Sequence, residues 1–158
     1  MSFKIVIDTR EQTPWTFPKE KKPVETIRKK LDVGDYSVEG YEHLITIERK
    51  SLNDMFGTYS NIEKQRRAGH PSSFLQRLQE MRVFRYKVIV IECNATAFMK
   101  GPRYYHSTKL PARKYAEMIN TFLINTWIAH EIPFVFLPRG LAQKFALKWL
   151  EGAYRKLK

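Results

Sequence analysis

A single cysteine, Cys93, stands in the 158 residues, so the chain cannot form an internal disulfide or a multi-cysteine zinc site. Histidine is nearly as scarce, and His43, His70, His106 and His130 share no metal-ligand spacing. No stretch approaches the roughly 18 apolar residues that span a bilayer. The N-terminus, Met-Ser-Phe-Lys-Ile-Val-Ile-Asp, reads as a strand and not as a secretory signal. The expectation is therefore a soluble, intracellular protein with no membrane partner. Internal repeats and low-complexity runs are missing too. Negative charge is the remaining shortage: 16 acidic side chains face 28 Lys and Arg, for a formal charge of +12.

What is present suits a folded, basic domain. A hydrophobic fraction of 43% with 28% charged residues argues against disorder, and the length predicts one domain over residues 1–158. The charge is unevenly placed. Through Asp54 there are ten acidic and ten basic side chains, and from Met55 onward six acidic and eighteen basic. A basic excess of this size favours a polyanion as partner, nucleic acid before anionic membrane.

Strand and helix patterns alternate along the chain. Lys4 to Asp8 is a short β-branched run ending on an aspartate, and a loop with Trp15 and a Lys19–Lys22 charge run follows. Val24, Ile27 and Leu31 at three- and four-residue spacing predict a short helix from Pro23 to Leu31. Asp35 to Val38 and His43 to Arg49 read as a hairpin around Glu39-Gly40-Tyr41. Ser51 then fits an N-cap, with Asp54 at capping-box spacing. Ser72 or Ser73 caps a helix with Phe74, Leu75, Leu78 and Met81 on one face. Tyr86 to Glu92 is a continuous apolar run suited to the middle of a sheet, and the span from Ala95 to Pro111 reads as irregular. A helix from Pro111 to His130 should turn Tyr115, Met118, Ile119, Phe122 and Leu123 to the core. A strand from Pro133 to Leu137 and a helix from Leu141 to Leu157 complete the pattern. The predicted class is α/β, a mixed central sheet flanked by helices.

The acidic residues that do occur gather early. In Thr46-Ile47-Glu48-Arg49-Lys50, strand alternation sends Glu48 and Lys50 to one face and Ile47 and Arg49 to the other. Asp35, on the partner strand or at its start, can approach Glu48 across the sheet, and Asp8 and Glu11 can join if the first strand is adjacent. Converging carboxylates repel unless a cation lies between them. Hard oxygen ligands without histidine or cysteine suit Mg2+ or Mn2+, and Lys50 beside such an ion would serve a water or a phosphate. Asp8, Glu11 and Asp54 leave room for a second ion. Taken singly, each residue also has a plain structural reading: Gly34-Asp35 as a turn, Glu48 and Lys50 as a same-face ion pair, Asp54 as the acid of its capping box.

Their joint order carries a resemblance. Asp8-Thr9-Arg10-Glu11, then Val33-Gly34-Asp35-Tyr36, then Glu48-Arg49-Lys50-Ser51 with Asp54 behind it, resembles the XPF/Hef family of structure-specific nucleases. That family's pattern is Gly-Asp, a spacer and Glu-Arg-Lys-x-x-x-Asp, within the PD-(D/E)XK nuclease group. The similarity runs more loosely through Phe74, Arg77 and Met81 to Val90-Ile91-Glu92, and so over roughly residues 3 to 137. It implies a restriction-endonuclease-like core and a metal held by Asp35, Glu48 and the carbonyl of Arg49. It also implies Lys50 as catalytic lysine, with Asp8, Glu11, Arg49 and Asp54 completing the site. The implied activity is metal-dependent hydrolysis of branched DNA such as flaps, forks and junctions, in repair or recombination. A non-catalytic DNA-binding scaffold, a Holliday-junction resolvase-like enzyme and an RNA-cleaving relative are the alternatives.

Family members commonly carry a tandem helix-hairpin-helix domain, and neither that nor an N-terminal helicase is expected of this sequence. The chain is expected to act as a stand-alone nuclease domain, its basic segments replacing the missing grip. Arg10, Lys64, Arg66, Arg67, Lys100, Arg103 and Lys109 are the candidate DNA contacts, and the cation–aromatic loop through Tyr104, Tyr105 and His106 suits single strands. A hydrophobic face left on one of the last two helices would make a homodimer.

Overall fold

The computed structural model describes residues 3–17, 24–101 and 110–158. Its frame is one six-stranded sheet. The strands are β1 (Ile5–Ile7), β2 (Thr26–Arg28), β3 (Tyr36–Val38), β4 (Ile45–Ser51), β5 (Tyr86–Glu92) and β6 (Phe134–Phe136), in the spatial order β2-β1-β3-β4-β5-β6. β1 runs parallel to β2 and antiparallel to β3, β3 pairs antiparallel with β4, and β4, β5 and β6 are mutually parallel neighbours. The sheet is mixed, as the alternation of patterns predicts.

Helices cover both faces. On one side α1 (Leu52–Arg67), α2 (Ser73–Met81), α3 (Ala95–Lys100) and α4 (Ala112–His130) pack Met55, Phe56, Leu78, Phe98, Ile119 and Leu123 with Ile89 and Ile91 of β5. On the other, α5 (Arg139–Leu157) lays Ala142, Ala146, Leu147 and Leu150 over Ile5, Ile7, Tyr36, Val38, Ile45, Ile47, Val88 and Val90. Period-2 alternation thus splits β4 and β5 between two cores, and this decides where each functional side chain can go. Small alanines on α5 let its backbone approach the sheet closely. None of the described helices is long and apolar enough to cross a membrane.

The local signals for the hairpin, the caps and β5 hold. Ser51 accepts from the Asp54 N–H at 3.1 Å, and its hydroxyl donates to the Asp54 carboxylate at 2.6 Å. Ser72 caps α2 by accepting from the Leu75 N–H at 3.4 Å. Four expectations need correction. Residues 24–31 contain strand β2 and no helix: a nine-residue helix is marginal by itself, while the edge of β1 offers backbone partners in the register Ile5↔Thr26, Val6↔Ile27 and Ile7↔Arg28. The span after β5 is not wholly irregular, because Asn94 accepts from the Ala97 N–H at 2.6 Å and starts α3, which Gly101 ends with φ 79°. On α4 the buried stripe is Tyr115, Ala116, Ile119, Leu123 and Thr126; Met118 is exposed and Phe122 only packs against the core margin. Leu75 is likewise exposed. Pro23, the Lys19–Lys22 run, Arg103, Tyr104, Tyr105, His106 and Lys109 lie outside the described residues.

Candidate active site

Gly34 and Asp35 stand at the mouth of β3, where the chain enters the sheet against β4. Gly34 has φ +81°, and a Cβ there would collide with the Thr46 hydroxyl and come within 2.9 Å of the Ile47 carbonyl oxygen. Only glycine permits that close approach. It brings the Asp35 N–H to the same Ile47 oxygen at 2.8 Å, and Asp35 Oδ2 then accepts from the Arg49 N–H at 2.7 Å. β3 pairs antiparallel with β4 at Tyr36↔Ile47, and that register sets Asp35 opposite Glu48. In an extended strand a residue's N–H and C=O face the same edge. The Arg49 carbonyl is therefore directed towards the Asp35 side, as a third oxygen donor would have to be.

Glu48 is 1% exposed. Its Oε1 accepts from Lys50 Nζ at 3.1 Å and from Arg77 Nη1 of α2 at 3.0 Å. Its Oε2 is buried with no hydrogen-bond partner. A buried carboxylate oxygen without a donor is costly. The Lys50 ammonium lies 5.2 Å from the centre of the Phe74 ring, so α2 walls this side of the site. Burial, followed by the charge of Glu48, pushes the Asp35 carboxyl up to about 7, against the lowering effect of the Arg49 N–H. Two neighbouring carboxylates, Asp35 with a raised pKa and Glu48 with a bare oxygen, suit a divalent cation. Among the described residues no group of three or more His, Cys, Asp or Glu side chains converges as a metal cage. The donor set that fits is two carboxylates and a carbonyl, the few-ligand pattern of Mg2+, which keeps its remaining positions for water and phosphate.

Arg49 faces the other side of the sheet. Its Nε meets Glu92 Oε2 at 2.5 Å and its Nη1 meets Glu11 Oε1 at 3.0 Å. Glu92 also accepts from Trp15 Nε1 at 3.0 Å and from Arg139 Nη1 at 3.2 Å. Burial acts to raise the Glu92 carboxyl, but the hydrogen bonds from Arg49, Trp15 and Arg139 outweigh it and hold it below its ordinary range. For Arg49 burial opposes the charge, and the bonds to Glu92 and Glu11 raise its pKa regardless. This buried network clamps the residue whose backbone holds Asp35.

The other expected residues are placed as follows. Asp8 is enclosed and fully engaged: Oδ1 accepts from the Arg10 N–H at 2.8 Å and Nε at 2.7 Å, Oδ2 from the Leu31 N–H at 2.6 Å and Arg10 Nη2 at 3.1 Å. Burial would raise its pKa, and these bonds lower it instead. Asp8 and Arg10 thus tie β1 to the chain at Leu31, while Glu11 holds Arg49 and Asp54 bonds the capping Ser51 of α1. Asp8, Glu11 and Asp54 are each engaged by groups of the protein itself. Lys64, Arg66 and Arg67 are exposed in the last turn of α1, about 20 Å along the helix from the site. Lys100 is exposed at the end of α3. Sequence reasoning passed over Glu92 and Arg139 and gave Arg77 no role. A carboxylate ending a fully apolar strand, at Glu92, was the available signal.

Residues 7–138 match the ERCC4 domain. Among curated proteins none matches the chain. Two solved structures share the fold: XPF from Aeropyrum pernix, at 17% identity and a TM-score of 0.55, and the same protein in complex with DNA, at 20% and 0.58. The similarity covers 98% and 97% of this chain but 65% and 64% of those, so the chain spans just under two-thirds of their length. The Gly34-Asp35 turn, the Glu48-Arg49-Lys50 strand and the mixed sheet that joins them lie within the matched region, and the chain belongs to the ERCC4 domain family.

Proposed function

We propose that residues 1–158 act as one DNA endonuclease domain that hydrolyses phosphodiester bonds in branched DNA with Mg2+ or Mn2+. The single observation that carries the reading is the pairing of Asp35 with Glu48, whose Oε2 is buried and bare, beside the Lys50 ammonium. Asp35, Glu48 and the Arg49 carbonyl would hold the ion. Bound there, it would polarise a phosphoryl oxygen and lower the pKa of an attacking water. The protein's own groups do the rest. Asp35 and Glu48 would present their carboxylates to that ion from the two facing strands. Lys50 offers its ammonium to the water or to the charge that develops on the phosphoryl oxygens. Glu11 and Glu92 grip Arg49 and so keep its peptide group aimed at Asp35.

The basic surface supplies the hold on DNA. Arg10 is exposed beside Asp8 and Lys100 lies at the end of α3; Arg103 and Lys109, outside the described residues, are further candidates by sequence. Lys64, Arg66 and Arg67 would take the backbone of a more distant arm. Membership of the ERCC4 family and the DNA-bound fold relative support DNA as the partner, and the proposed role is in repair or recombination. A second copy suits the apolar strip on α4, where Ile124, Trp127 and Ile128 are exposed with Val83 nearby.

The test is a panel of end-labelled flap, fork, nicked, linear duplex and single-stranded DNAs, incubated with Mg2+, Mn2+ or a chelator. Metal-dependent cutting confined to the branched members is expected. Equal cutting of all five would remove the structural preference, and no cutting of any would remove the enzyme.

A further inference from the structure

Arg77 is a cation that helix α2 brings to the Glu48 carboxylate. Within α2 it lies between the buried residues Phe74 and Leu78, so its stem runs along the core margin and its guanidinium emerges at the sheet. There Nη1 meets Glu48 Oε1 at 3.0 Å, the same oxygen that Lys50 Nζ takes at 3.1 Å. One carboxylate oxygen thus carries two positive groups while its twin has no donor. The two cations share one acceptor atom, and they repel each other. The Arg77 side chain is also 41% exposed, against 15% for Lys50. A guanidinium has five donors in a planar fork, and among the described residues only Nη1 is engaged.

We propose that Arg77 is a phosphate-binding residue of the site, taking the non-bridging oxygens of the phosphodiester being cut. The inference rests on the nuclease reading above. A phosphate offers the guanidinium a two-toothed, charge-assisted partner that a singly engaged carboxylate oxygen does not. Lys50 is the more enclosed cation and stays with Glu48 and the water. Arg77 has the reach and exposure to meet the substrate from the solvent side. The exposed part of the Arg77 guanidinium thereby becomes charge aimed at the reacting phosphate.

Single-turnover cleavage of a labelled fork in Mg2+ or Mn2+, with the full chain in excess, tests this. Arg77→Gln should lower the saturated rate about 100-fold, the effect of removing one preorganised donor. The half-saturating protein concentration should move by about threefold or less, because the other cations still hold the DNA backbone. Arg77→Lys should recover part of the rate, and millimolar guanidinium should raise cleavage by Arg77→Ala but not by the natural protein. A saturated Arg77→Gln rate within about threefold of the natural one overturns the proposal. So does a loss confined to half-saturation, or an unrescued loss that follows a fall in melting temperature. If the natural protein fails to cut in any metal, the nuclease reading fails and this inference with it; normal cutting by the Arg77 variants overturns this inference alone.

Discussion

Glu48 and Asp35 set the terms at the scale of single residues. Each is an ordinary acid made unusual by its neighbours, and Asp35→Asn separates the consequences. The substitution keeps an oxygen for the Arg49 N–H and removes one repulsive charge. Cleavage should vanish while DNA binding is retained or tightened, as a gel-shift titration in Ca2+ would show. Stability should change as well. An acid whose pKa rises on folding contributes stability that is complete below its unfolded value and is lost as pH climbs through the folded one. For Asp35 that window runs from the ordinary 3.8 to about 7. In chelated buffer Asp35→Asn should therefore melt above the natural protein at pH 8, with the gap closing towards pH 4. A constant gap across that range would deny the raised pKa. Sequence showed the identity of these residues and their strand alternation, since both are local. It could not show that Oε2 is bare or that Arg77 shares Oε1, because those facts depend on how α2 docks against β4.

At the scale of elements, the hairpin of β3 and β4 and the caps of α1 and α2 were legible because each rests on adjacent residues: a Gly34 that permits the tight entry, a Ser51 that meets its own Asp54. β2 was not, since a parallel edge strand is made by its partner and not by its own three residues. The clamp on Arg49 was hidden for the same reason. Glu11, Trp15, Glu92 and Arg139 come from separate parts of the chain and meet only when α5 closes on the sheet. Glu92→Gln leaves Arg49 and Arg139 without their shared carboxylate charge. Urea unfolding should show a loss of about 3 kcal/mol, the usual scale for breaking an enclosed ion pair. A loss below about 0.5 kcal/mol would make the network mere surface pairing. Gly34→Ala should cost about 2 kcal/mol or more through its φ and the collision with Thr46 and Ile47; an unchanged urea midpoint would contradict the tight entry into β3.

For the whole molecule, the central question is how a +12 chain with few acids uses both. Asp8, Asp35 and Glu48 lie where β1, β3 and β4 adjoin, and Lys64, Arg66, Arg67 and Lys100 are exposed at helix ends outside. Grip and chemistry should then be separable. Removing Arg66 and Arg67 together should weaken DNA binding and flatten its salt dependence, by about one unit of log–log slope for each phosphate no longer neutralised, while the saturated cutting rate holds. An unchanged slope would make the end of α1 an ordinary solvated turn. The most direct test is cleavage of a labelled fork by the natural protein, Glu48→Ala and Lys50→Ala, each with Mg2+, Mn2+ or EDTA. Cutting that needs the metal and disappears in both variants is the expected result. Undiminished cutting by Glu48→Ala, or cutting in EDTA, would contradict a metal centre on this strand.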